Sequence, residues 1–158
     1  MTQIQIDWPS RSIVDNMLSD SAAIQAKKFV RHGAIDRELF GRAVTVTALT
    51  QDVHIVRGAT GTLLGFEASI NGTIATGADR TVTVDLQKST GGGAFSTVLS
   101  STIGFTNSST LRTAVAGVFS VTGLVDGDQL AVIVTVAGSA GNQALGLSMT
   151  LTYEETWS

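Results

Sequence analysis

Thr81-Val82-Thr83-Val84-Asp85-Leu86-Gln87 decides the fold: Val82, Val84 and Leu86 alternate with polar neighbours at a period of two. Successive side chains of a strand point to opposite faces, so this pattern buries one face and solvates the other. The same alternation flanks it on both sides. Val44 and Val46 alternate with Thr45 and Thr47, Val53 and Ile55 with His54 and Val56, and Leu64, Phe66, Ala68 and Ile70 share a face. Downstream, strands are predicted at 95–103, 113–121, 129–137 and 144–153, the last with Leu145, Leu147, Met149, Leu151 and Tyr153 in line. Asn71-Gly72, Gly91-Gly92-Gly93 and Asp126-Gly127-Asp128 supply turns between them. About eight strands with no intervening helical pattern make an all-β antiparallel sandwich, and that number favours a jelly roll over a seven-stranded immunoglobulin-like one.

Leu130-Ala131-Val132-Ile133-Val134-Thr135-Val136-Ala137 breaks the alternation, being apolar on both faces. It needs cover on each, from a helix over the sheet or from a neighbouring subunit.

The first 42 residues read differently. Ile4 and Ile6 alternate with polar residues ahead of Pro9, as in an extended arm. Ile13 and Met17, then Val14 and Leu18, are i,i+4 pairs on one helical face. Asp20-Ser21 caps a second segment whose Ala22, Ala26, Phe29 and Val30 form another face, and Gly33 after Arg31-His32 ends it. The stripes are out of register, so two short helices or one kinked helix are predicted. Residues 34–42 then form a connector with at most one further turn around Ile35–Phe40. The chain divides into an N-terminal docking segment, 1–42, and a β-sandwich domain, 43–158.

Composition narrows the role. Charged residues make up 15% of the chain and hydrophobic ones 43%. The charged share lies below the roughly 25% of average soluble domains, as if surface were covered in an assembly. Six of the ten basic residues (Arg11, Lys27, Lys28, Arg31, Arg37, Arg42) fall in the first segment, leaving the β part acidic and without a basic stripe for nucleic acid. No run of about 20 apolar residues spans a bilayer, and the start lacks the basic and apolar regions of a signal peptide. The chain is therefore expected to be made in a cytoplasm and to leave, if at all, by lysis.

No constellation for catalysis stands out. With no cysteine, His32 and His54 are too few and too far apart for a metal site. His32 reads as a capping cation and His54 as a surface or interface side chain. No G-x-S-x-G presents a serine nucleophile. Asp126 and Asp128 lie in a turn, and two carboxylates fall short of the six to eight oxygens calcium takes. Gly91-Gly92-Gly93 leads into strand-like sequence, which makes it a hairpin tip instead of a phosphate cradle. No enzyme activity, cofactor or metal is expected.

Three stretches together carry a resemblance: Arg80-Thr81-Val82-Thr83-Val84-Asp85-Leu86-Gln87-Lys88, Phe95-Ser96-Thr97-Val98-Leu99-Ser100-Ser101, and Val125-Asp126-Gly127-Asp128-Gln129-Leu130-Ala131-Val132. Over residues 80–137 the chain resembles β-sandwich modules of tailed-bacteriophage virion proteins, in particular capsid decoration (cement) proteins and fibre heads. The resemblance implies a jelly-roll-like, often trimeric module without an active site, on the capsid exterior, bound to the major capsid protein and to itself. Neither nucleic acid nor membrane enters as a partner. The contacts are expected from Ile4, Ile6, Trp8, Met17, Leu18, Phe29 and Phe40, apolar groups in a segment too short to bury them alone. The alternative is a receptor- or carbohydrate-binding fibre head. It calls for exposed aromatic rings, and beyond Tyr153 and Trp157 near the C-terminus the chain offers few.

Overall fold

The computed structural model describes residues 30–72, 74, 81–138 and 144–157. Two five-stranded antiparallel sheets pack face to face as a β-sandwich, and no helix occurs among the described residues. In sheet one, β1 (Val30–Thr45) pairs with β10 (Leu145–Trp157), and β10 with β3 (Ala59–Gly72). The short strands β7 (Val115–Ala116) and β8 (Gly123–Leu124) lie one after the other along the free side of β3. In sheet two, β2 (Leu49–Ile55) pairs with β9 (Gln129–Ala137), and β9 with β4 (Thr81–Ser89). β5 (Ser96–Thr97) and β6 (Ile103–Phe105) follow one another along β4. The ten strands thus occupy eight positions.

The core is the set of inward residues that the alternation marks. Val82, Val84 and Leu86 from β4 meet Leu130, Val132 and Val134 from β9, facing Leu147, Met149 and Leu151 from β10 and Phe66 and Ile70 from β3. Fully burying a side chain such as Leu147 or Phe66 stabilises the fold by about 1.5–3 kcal/mol.

Residues 30–45 are a strand, and the predicted helix end and connector there are corrected. Ile35, Leu39 and Phe40 pack against the core, and the ladder to β10 outweighs helix preferences worth a few tenths of a kcal/mol per residue. Gly33 is no helix stop: it lies opposite Tyr153, and a Cβ there would run into the tyrosine ring. The strand also runs across the division drawn between residues 42 and 43. The arm at 1–9 and the helical pattern through residue 29 lie outside the described residues.

Two further expectations change in detail. A register shift opposite Thr152 and Tyr153 puts a bulge in β3. Leu63 is therefore buried and Leu64 is 51% exposed, although Leu64 shares the parity of buried Phe66 and Ala68. The strands predicted at 95–103 and 113–121 are interrupted, because Val98 and Leu99 both point inward. At that break the chain changes partners. Val98 N donates to Leu86 O in sheet two, while Val98 O accepts from Ser120 N at 2.8 Å and Val121 N at 3.2 Å. Ser100 N donates to Val118 O at 2.7 Å, and Leu99 bridges Phe119. This edge is thereby stitched shut between the sheets.

The outer side of the apolar strand β9 is partly buried. Ala131 on its outer side is buried between Asp52 and Gln87, and half-buried Ile133 lies between Thr50 and Asp85. Asp85 itself accepts hydrogen bonds from Thr97 Oγ1 at 2.6 Å and Gln87 Nε2 at 2.8 Å.

Candidate functional site

The turns 56–58, 90–95 and 125–128 gather at one end of the sandwich with the start of β1 and the finish of β10. There the inward positions turn from apolar to polar. His54 and Lys88 both stand opposite Leu130, on either side of β9. Across the sandwich, Glu155 lies between Arg31 on β1 and Gly61 on β3.

Two ties join the sheets through this layer. In the first, His54 Nε2 donates to Glu155 Oε1 at 2.7 Å, and Glu155 is buried. The His54 ring also packs on Tyr153, with centroids 4.4 Å apart. Burial raises the Tyr153 pKa, the Glu155 charge adds to that, and Arg31 opposes it.

The second tie centres on Asp128, whose side chain is wholly buried. Its Oδ1 accepts from Thr90 Oγ1 at 2.7 Å, and its Oδ2 from Val125 N at 2.9 Å and from Lys88 Nζ at 3.2 Å. Lys88 Nζ donates as well to Gly123 O, on sheet one, at 2.9 Å. Burial works against the charge on Asp128, but the bonds from Thr90, Val125 and Lys88, with the Lys88 charge, win and hold the carboxyl below its usual value. Asp126 Oδ1 accepts from Gly58 N at 2.7 Å, and Val56 and the 127–128 backbone exchange two hydrogen bonds. Both Asp128 oxygens are thus engaged by the protein's own donors, and a cation in this turn would have to displace Lys88.

The two edges of the sandwich differ in character. One, made by β1 and β2, carries Arg31, Asp36, Arg37, Glu38, Arg42 and Asp52. The other is built by β5 to β8 and the segments between them, where Arg112 is the one charged residue from Ser89 to Val125. Along this second edge Val115, Val118 and Val121 are exposed, Val118 to 67%. On the outer face of sheet one, side-chain hydrogen bonds run between strands: the Ser69 and Ser148 hydroxyls share one, and the Thr150 hydroxyl donates to Asp36 Oδ1 at 2.6 Å.

Of the predicted contact residues, Ile4, Ile6, Trp8, Met17, Leu18 and Phe29 lie outside the described residues. Phe40 is described, and it packs against the core opposite Leu147. His32 stands in β1 opposite Glu154 and caps no helix, and His54 is half-buried in the cross-sheet tie. Sequence reasoning missed the Asp128–Lys88 and His54–Glu155 pairs, whose members lie far apart in the chain. Their only local signal was a charged residue at an inward-parity position, Lys88 after Val82, Val84 and Leu86, and Glu155 after Leu151 and Tyr153. Comparison with protein-family models, with curated proteins and with solved structures yields no match.

Proposed function

We propose that this chain is a virion structural protein of the capsid decoration type: a jelly-roll body that assembles as a homotrimer and docks on the major capsid protein of a phage head through its N-terminal segment. The observation that carries this reading is the strand order. Sheet one runs β1-β10-β3-β7/β8 and sheet two β2-β9-β4-β5/β6, so the chain passes back and forth between the sheets as in two nested Greek keys. Of the proposed docking segment 1–42, the described part begins with β1 at Val30, at the polar end and on the charged edge. Ile4, Ile6, Trp8, Met17, Leu18 and Phe29 then supply apolar contact area at many equivalent shell sites, where a linked second contact multiplies avidity.

The test is reconstitution. Phage heads that lack this protein are mixed with the purified protein and sedimented. Saturable co-sedimentation and a higher rupture temperature are expected, both lost on Ile6→Ser/Trp8→Ser. Heads that neither bind the protein nor gain stability remove the decoration reading.

A further inference from the structure

We propose that the sparsely charged edge of the sandwich is the surface through which copies of this chain associate, with Val115, Val118 and Val121 of each copy packed around the symmetry axis. This deepens the oligomeric part of the function above and rests on it. From Ser89 to Val125 the sequence holds one charged residue, Arg112, in a protein that is 15% charged. The fold lays both halves of that stretch side by side, stitched through Leu99 and Phe119.

Charge decides the occupant. In a cyclic assembly the residues nearest the axis meet their own copies, so any charge there faces itself. An edge whose exposed side chains are valines keeps like charges away from the axis. A foreign partner imposes no such restriction, since opposite charges on its surface favour and orient encounter. The opposite edge, with both signs of charge along β1, has the character expected of a surface turned away from the axis.

The hydrogen bonding decides the mode of contact. Val98 O and Val118 O, which an added strand would need, are already taken by Ser120, Val121 and Ser100. Association therefore runs through side chains and not by extending a sheet. Val118 is the most exposed large apolar side chain of the described residues.

The full-length chain is tested by size exclusion with light scattering. The native protein is expected at about three times 16.4 kDa, and Val118→Glu/Val121→Glu at the mass of one chain with an unchanged far-UV spectrum. Val44→Glu, a change at a similarly exposed valine on β1, keeps the native mass. Because the chain has no cysteine, Val118→Cys gives a second measurement: mild oxidation links copies within the oligomer, whereas Val44→Cys stays unlinked. A native oligomer whose mass survives Val118→Glu/Val121→Glu overturns the edge and leaves the oligomer standing. A native monomer overturns both.

Discussion

Asp128→Ala removes the buried acceptor on which Lys88, Thr90 and the Val125 amide converge, and leaves all three donors without it in a part-buried site. Breaking one side of a buried ion pair costs about 3–5 kcal/mol. Lys88 keeps its bond to Gly123 O, and its side chain is 19% exposed, which places the loss at the lower end. A loss of about 3 kcal/mol lowers Tm by roughly 6–12 °C in a chain of this size. Urea denaturation and calorimetry of the native protein, Asp128→Ala, Lys88→Met and the double variant measure it. The double variant is expected to cost less than the sum of the singles by about 1–3 kcal/mol, since it leaves no unpaired charge. The acid limb carries the same information. The folded carboxyl sits below its unfolded value of 3.8, so its contribution is complete above that pH and is lost as pH falls from there through the lowered folded value. Asp128→Ala should flatten that part of the stability profile. A loss under about 1 kcal/mol with no coupling refutes the tie, judged against the usual range for surface changes. So does a calcium-dependent rise in Tm that vanishes in Asp128→Ala.

Gly33→Ala puts a methyl group into the Tyr153 ring and is expected to cost about 1–3 kcal/mol by overpacking, read as a lower denaturation midpoint. The bulge in β3 makes neighbours unequal: Leu63→Ala should cost about 2–5 kcal/mol as a core truncation, and Leu64→Ala within about 0.5 kcal/mol. Equal losses at the two positions would place the bulge elsewhere. His54→Ala strands buried Glu155 and is expected to cost about 1–3 kcal/mol in thermal melts, part of it recovered by adding Glu155→Gln.

The sandwich was legible wherever period two runs unbroken, and the failures fall where something non-local interrupts it. Val82 to Leu86 and Leu147 to Tyr153 need no help from the rest of the chain, and their parity gives the core directly. In β1 the apolar residues Ile35, Leu39 and Phe40 fall at spacings that also suit a helix, because a register shift between Glu38 and Phe40 turns two adjacent side chains inward. The bulge near Leu64 does the same in β3, and one residue of slip exchanges the faces. Local pattern contains no trace of the partner strand that causes either shift. The turn at 125–128 was legible as a turn, but Asp128's role depends on Lys88 and Thr90 from another hairpin.

The stretch from Ser89 to Val125, with Arg112 its one charged residue, is the opposite case, visible in composition and silent as to place. Uncharged residues spread around a sandwich would only lower its solubility. Here the crossing of the chain between sheets puts β5 and β6 on the outer side of β4, and β7 and β8 on the outer side of β3, so one composition bias becomes one edge. Charged side chains there would be the cheapest protection against unwanted pairing of an exposed edge. The fold protects it instead by interrupting the strands and joining their backbones across the sheets. Backbone bonds at Val98, Ser100, Val118 and Ser120 occupy groups an added strand would need, while Val115, Val118 and Val121 stay exposed beside them.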